Sequence, residues 1–128
     1  MYGLFKENGP FLVKAEEPPH GHPYLVTNEY SWHKLANIVY IDNPVGTGFS
    51  HVKDSTWYGY GMEEHQVAKE LSEFLLQFMQ IFPHYVGGQT QTQPKVYFFG
   101  ESYGGTYVVT LADYILSNEI YRVSYKPS

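Results

Sequence analysis

The sequence predicts an α/β fold with parallel central strands, and three observations lead to that prediction. Two almost unbroken apolar runs, residues 37–41 and 96–99, are typical of strands that are buried on both faces. Residues 62–82, between them, have the apolar spacing of an amphipathic helix. A second helix is predicted over residues 107–116, and the order strand, helix, strand, helix indicates a βαβ unit.

The first predicted element is a two-stranded hairpin. Phe11–Ala15 and residues 24–27 are short apolar or β-branched runs, and a proline-rich loop separates them. The first helix follows the strand at 37–41. Glu63 and Glu64 suit the positive end of its dipole, and Pro83 ends it because proline cannot continue the backbone hydrogen bonding.

Composition and charge exclude several classes of protein. The chain has 128 residues, of which 43% are hydrophobic and 16% charged, so we expect one globular domain over residues 1–128. Its net charge of −5 argues against a nucleic-acid partner, because such proteins present basic patches. Cysteine is absent, so the sequence contains no thiolate zinc site, and no apolar run approaches the length of a membrane span. His20 and His22 lie among prolines and are not expected to bind a metal. We predict no membrane span, no metal and no cofactor.

The motif that carries chemistry lies at residues 100–104, which read Gly-Glu-Ser-Tyr-Gly and match G-x-S-x-G. It stands directly after a predicted strand and before a predicted helix, where a nucleophile elbow requires a sharp, strained turn. Ser102 is therefore the candidate nucleophile, and the amide of Tyr103 is the candidate oxyanion donor. The competing interpretation is a serine in an ordinary glycine-flanked turn.

The partners that would activate this serine are not found after it. All six histidines precede Ser102, although the acid and the histidine follow the nucleophile in α/β-hydrolases. Asp113, the only later aspartate, is about three turns into the adjoining helix and is rejected as the triad acid. The chain thus predicts an incomplete, truncated domain with an elbow but without its triad Asp and His.

Three blocks of sequence together resemble the serine carboxypeptidase family. They are residues 3–11 (GLFKENGPF), residues 30–37 continuing into 42–50 (DNPVGTGFS), and residues 100–107 (GESYGGTY). The resemblance implies an α/β-hydrolase fold, of which this chain would form the N-terminal half of the core. It also implies a serine-type carboxypeptidase, which hydrolyses peptides from the carboxyl end through an acyl-enzyme on Ser102.

The resemblance assigns two further residues. Glu101 and Glu7 match glutamates that hold the terminal carboxylate of a peptide or protein substrate. Two carboxyls can bind a third only when they are protonated, so acidic conditions would favour binding. An Asn-Gly-Gly-Pro-Gly block expected before Gly3 lies outside this chain, as do the downstream Asp and His, and we expect the chain alone to be nearly inactive.

Two other functions stay open at this point. One is a non-catalytic paralogue that binds peptide carboxyl ends, and the other is an acyltransferase carrying the same blocks. Composition does not indicate a compartment, whereas the resemblance implies a vacuole, a lysosome or secretion.

Overall fold

The computed structural model describes residues 2–15, 21–52, 63–86 and 95–118. These residues belong to two units of the chain, residues 1–56 and residues 57–128. The single domain expected over residues 1–128 stays a prediction.

The first unit contains the predicted hairpin. Strand β1 (Phe11–Ala15) pairs antiparallel with strand β2 (Pro23–Thr27), and Phe11 lies opposite Thr27 while Ala15 lies opposite Pro23. The prediction is confirmed, with β2 beginning one residue earlier than expected. Residues 16–20 of the predicted loop lie outside the described residues.

Two short helical turns flank this hairpin. A π-helical turn covers Gly3–Glu7, and the amides of Asn8 and Gly9 both donate to the carbonyl of Gly3, at 3.1 and 3.2 Å. A 3-10 turn covers Trp32–Lys34 and is capped by the Ser31 side chain. Asn28 and Ser31, only 3% and 4% exposed, are the buried polar side chains beside these turns.

The second unit is a pair of packed helices, α1 (Glu64–Ile81) and α2 (Gly104–Ser117). Val67 and Ala68 of α1 and Leu111 and Ile115 of α2 form the buried apolar core. Both predicted helices are confirmed, and α2 begins three residues before its predicted start because the hydrogen-bonded turn at the elbow leads directly into it. Within the described ranges, no helix is long and apolar enough to cross a bilayer.

The two runs predicted as parallel strands differ from expectation. In the described part of the chain the paired strands are β1 and β2, which are antiparallel, and residues 37–41 and 96–99 join no sheet. Their side chains are correspondingly accessible: Val39 is 46% exposed, Tyr97 69% and Phe99 73%. An apolar run indicates that a segment is buried in the folded protein. To form a strand, the segment also needs a neighbouring strand for its hydrogen bonds.

Candidate functional site

Ser102 occupies a sharp turn directly before α2. Its φ of 54° lies in the left-handed region, and among the described non-glycine residues it has the only positive φ. The amide of Gly104 donates to the carbonyl of Glu101 at 2.9 Å, and the amide of Gly105 donates to the carbonyl of Ser102 at 3.0 Å. The side chain of Ser102 is exposed at this turn. The local geometry therefore agrees with the predicted elbow.

Gly100 makes the turn possible by its lack of a side chain. A Cβ atom at this position would lie 2.2 Å from the carbonyl oxygen and 2.4 Å from the carbonyl carbon of Gly104. Backbone atoms cannot move away from such a contact, whereas the end of a flexible side chain can. In contrast, a Cβ at Gly104 would meet no described atom within 4 Å. Close packing thus requires glycine at the first position of the motif but not at the last.

Tyr103 follows Ser102 and occupies the position directly before the first residue of α2. Among the described residues, its amide donates to no backbone carbonyl, so this N–H is available as an oxyanion donor. Its phenol donates to the carboxylate of Glu64, the first residue of α1, and its ring packs edge-on against Tyr107 with the centroids 5.2 Å apart. The side chain of Tyr103 therefore links the elbow to the start of α1.

The contact between Tyr103 and Glu64 changes the acidity of both groups. The hydrogen bond from Tyr103 lowers the pKa of the Glu64 carboxyl, because it stabilises the charged form. The same bond raises the pKa of the Tyr103 phenol, because ionisation would break it and place two negative charges together. The G-x-S-x-G motif contains no signal for this partner, which lies 39 residues away in the sequence.

Glu101 precedes the nucleophile, and its side chain is exposed. Its carbonyl is engaged by the amide of Gly104, as described above, so the backbone at Glu101 belongs to the elbow. The carboxyl is consequently attached to a fixed turn and is open to solvent beside Ser102.

Glu7 lies at the end of the π-helical turn in the other unit, with an exposed side chain. The two residues after it are held by buried or half-buried side chains that sequence reasoning did not identify. Asn28, Ser31 and Tyr40 each hydrogen-bond to the segment 7–9. The one sequence signal at Asn28 is that asparagine commonly accepts from the amide two residues on, as it does here from Tyr30 at 3.1 Å.

The described part of the second unit contains two histidines, and both pack against tyrosines. The ring of His65 lies 5.1 Å from that of Tyr114, and the ring of His84 lies 4.1 Å from that of Tyr85. Across this described part, no histidine or acidic side chain hydrogen-bonds to Ser102. Nor do three or more His, Asp or Glu residues cluster as metal ligands anywhere in the described ranges. In this described part, Ser102 and the Tyr103 amide lie together at the start of α2.

Comparison with known proteins gives one consistent result. A sequence profile of the family described as "Serine carboxypeptidase" matches residues 1–124. The chain is 46% identical to "Venom serine carboxypeptidase" of Apis mellifera over 108 residues, which are 84% of this chain and 20% of that protein. It is 40% identical to "Probable serine carboxypeptidase CPVL" of Homo sapiens over 117 residues, which are 91% of this chain and 22% of that protein.

A third similar protein is "Vitellogenic carboxypeptidase" of Aedes aegypti, 39% identical over 108 residues and matched over 20% of its length. The chain thus spans about a fifth of the length of the curated relatives it matches. This coverage agrees with the expectation that the sequence corresponds to part of a longer protein.

Proposed function

This chain belongs to the serine carboxypeptidase family, and on that premise we propose that it carries the nucleophile of a serine-type carboxypeptidase. The observation that supports this proposal best is the left-handed backbone of Ser102 at the amino end of α2. A residue other than glycine adopts that conformation at a cost, and such strain is found mostly at functional turns. The proposal includes an α/β-hydrolase fold with parallel central strands.

The proposed reaction proceeds through an ester on Ser102. The hydroxyl oxygen attacks the carbonyl carbon of the last peptide bond, the hydroxyl proton passes to a general base, and the negative charge on the carbonyl oxygen is stabilised by the Tyr103 amide. The C–N bond then breaks and the departing amine takes up the proton. Water hydrolyses the ester and releases a peptide shortened by one residue.

The described part of the second unit provides no base beside Ser102, and an unactivated hydroxyl is a poor nucleophile. We therefore expect the 128-residue chain alone to cleave peptides at close to the background rate. Release of the terminal residue from a blocked dipeptide at about pH 5 tests this. Robust turnover that is lost in Ser102→Ala would show that the chain supplies its own base.

The second part of the proposal concerns recognition of the substrate. Glu101 is proposed to hold the terminal carboxylate of the peptide because it lies next to Ser102, and the role of Glu7 rests on the family resemblance. Each carboxyl can donate a hydrogen bond to a carboxylate only in its protonated form.

The nucleophile can be tested without a base by using an activated ester. With p-nitrophenyl acetate, we expect acetylation of Ser102 at least about tenfold faster than that of Ser117, because an oxyanion donor alone contributes at least that much. Ser117 is a suitable comparison, since it is an exposed serine at the end of the same helix. Intact-mass and peptide mass spectrometry locate the label, and Ser102→Ala should abolish the fast phase.

An even distribution of label over the exposed serines would contradict the nucleophile assignment. If the chain then still bound peptides through their carboxyl ends, a non-catalytic peptide-binding role would replace the proposal.

The relatives also suggest where the protein acts. The Apis mellifera relative is named as a venom protein. We extend this to the present protein as a proposal of secretion or of a lysosomal or vacuolar location, which fits the acidic conditions expected for protonated glutamates. Localisation of the tagged full-length product in the cytosol would contradict it.

A further inference from the structure

We propose that Asn28, Ser31 and Tyr40 act as a loop clamp, a set of positioning residues that hold the segment 7–9 and thereby fix the place of the Glu7 carboxyl. This inference rests on the proposed function, because it gives Glu7 a role in binding the substrate's terminal carboxylate. The three side chains touch the backbone or side chain of the segment and need no contact with the substrate.

Asn28 makes the largest contribution to the clamp. Its Nδ2 group donates to the carbonyl of Glu7 at 3.0 Å and to the carbonyl of Gly9 at 2.9 Å. Its own amide donates to the carbonyl of Pro10 at 2.9 Å, and its Oδ1 accepts from the amide of Tyr30. Since the side chain is only 3% exposed, water cannot replace these bonds easily.

The other two side chains hold Asn8, between those two carbonyls. The hydroxyl of Ser31 donates to the Asn8 carbonyl at 2.9 Å, and the amide of Trp32 donates to the same carbonyl at 3.0 Å. The phenol of Tyr40 donates to the Oδ1 atom of Asn8 at 2.8 Å. Each residue of the segment 7–9 is consequently held by a side chain from outside it.

The segment cannot easily take another path. A Cβ on the buried Gly9 would lie 1.8 Å from the carbonyl oxygen of Leu4, so the close contact with the π-helical turn requires glycine. The amides of Asn8 and Gly9 also donate to Gly3, as described above. The Glu7 side chain is exposed, whereas the backbone that carries it is fastened to buried groups, which is the arrangement expected of a rigidly presented ligand-binding group.

Asparagine is the side chain that this arrangement requires at position 28. It offers two donors and one acceptor in one plane, and the structure uses all three. Aspartate has nearly the same shape, yet it has no donor and would direct a negative oxygen at two carbonyls. Asn28→Asp therefore removes the two side-chain bonds that Asn28 donates to the segment, with little change in side-chain volume.

The test measures amide hydrogen exchange and peptide binding on the 128-residue chain. In Asn28→Asp, exchange at Asn8 and Gly9 should accelerate by about tenfold to hundredfold, because two buried carbonyls lose their donors. Calorimetry should show affinity for a free-carboxyl peptide falling by about tenfold, with affinity for the amidated peptide unchanged. A merely destabilising change would weaken binding of both peptides together.

Asn118→Asp is the matched control, since Asn118 also donates from Nδ2 to a carbonyl, that of Tyr114 at 2.8 Å at the end of α2. Two quantities should stay unchanged in this variant. They are the rate of amide exchange at Asn8 and Gly9 and the preference for the free-carboxyl peptide over the amidated peptide. If Asn28→Asp does not fold, Tyr40→Phe removes a single bond of the clamp and should accelerate exchange at Asn8 and Gly9 by about threefold to tenfold.

The outcomes separate the clamp from the proposed function. Unchanged exchange in Asn28→Asp overturns the clamp. Faster exchange with an unchanged free-carboxyl preference overturns its positioning role. Glu7→Ala, which removes the donor, should weaken free-carboxyl binding without changing exchange. A parent chain that does not distinguish the two peptides overturns the role of Glu7 in binding, and the exchange measurement still decides the clamp.

Discussion

At the scale of single residues, the elbow depends on one strained residue and one glycine. The left-handed backbone of Ser102 costs on the order of 1–3 kcal/mol, so neighbouring contacts must hold it. The hydrogen bonds from Gly104 and Gly105 do this locally, and they close only because Gly100 lies against the carbonyl of Gly104. The strain is thus maintained by a few residues adjacent in sequence.

Gly100→Ala and Gly104→Ala test this asymmetry. The first should lower the free energy of unfolding by about 1–3 kcal/mol, because its Cβ would collide with backbone. The second should raise the free energy of unfolding by less than about 1 kcal/mol, because the added Cβ meets no described atom and alanine favours a helix. Urea denaturation followed by circular dichroism measures both, and equal losses would contradict the close contact at Gly100.

The bond between Tyr103 and Glu64 predicts a pH dependence of stability. The pKa of Glu64 is lower in the folded chain than in the unfolded chain, where it is about 4.3. The stabilisation from Glu64 is therefore fully present above that pH and is lost as the pH falls through the lowered pKa. The pKa of Tyr103 is higher in the folded chain than in the unfolded chain, where it is about 10. The stabilisation from Tyr103 is therefore fully present below that pH and is lost as the pH rises through the raised pKa. The bond therefore stabilises the fold between about pH 5 and pH 10, and its effect is small because both groups are exposed to solvent screening.

Two measurements check this prediction. The difference in unfolding free energy between the parent chain and Tyr103→Phe should be largest in that pH window and should shrink toward acidic pH. In an ultraviolet titration, Glu64→Gln should shift one tyrosine to a lower pKa, because the charged partner is gone. A tyrosine titration identical in parent and Glu64→Gln would exclude the bond.

At the scale of elements, the pair α1 and α2 depends on a small core. Small side chains of α1 allow the close approach: Ala68 is 1% exposed, and Ser72 is fully buried with its hydroxyl donating to the Ala68 carbonyl at 2.8 Å. Leu111 and Ile115 of α2 fill the remaining space. The buried side chains in the described part of this unit are thus few.

Leu111→Ala should lower the free energy of unfolding by about 2–3 kcal/mol, through lost burial and the cavity it leaves. Leu116→Ala is the matched control, because the same atoms are removed from the same helix at a side chain that is 59% exposed. We expect it to change stability by less than about 1 kcal/mol. Similar losses in chemical denaturation of the two variants would contradict the assigned core.

The elements that sequence analysis predicted correctly are those whose pattern is local. The helical spacing along α1 and the short runs of the hairpin reflect contacts between neighbours in sequence, and the structure confirms them. The start of α2 was placed too late because Gly104 and Gly105 are poor helix formers, and the turn that begins the helix is invisible to periodicity. Residues 37–41 and 96–99 need partner strands distant in sequence, and no local pattern supplies them.

At the scale of the whole molecule, much apolar surface is accessible. Val96, Tyr97 and Phe99 are 48%, 69% and 73% exposed, and Phe49 is 76% exposed. We expect the chain to bind the dye ANS at neutral pH and to self-associate as concentration rises, because contiguous apolar patches promote both.

Phe99→Lys should reduce this association more than Phe49→Lys does. Phe99 adjoins other exposed apolar residues, Val96 and Tyr97, whereas Phe49 lies between Gly48 and Ser50. Light scattering over a concentration series measures the effect. A monomeric chain that does not bind ANS would contradict the exposed surface.

The candidate site was only partly predictable. Ser102 and Tyr103 were identified because their chemistry lies in five consecutive residues between two recognisable elements. Glu64 and the loop clamp could not be predicted, because their contacts join positions 19 to 39 residues apart. The local exception is the turn in which Asn28 accepts from the amide of Tyr30. Such contacts follow from the folded path of the chain, which a sequence pattern does not specify.

The hydrogen bonds of the elbow carry a consequence for the order of folding. Those from Gly104, Gly105 and Thr106 each close a loop of three residues, so they can form on the timescale of a single helical turn. The loop clamp instead joins residue 8 to residue 40, and closing such a loop costs more chain entropy. In a nascent chain, the turn at Ser102 would therefore form independently of the contacts that hold residues 7–9, and the two would form at different times.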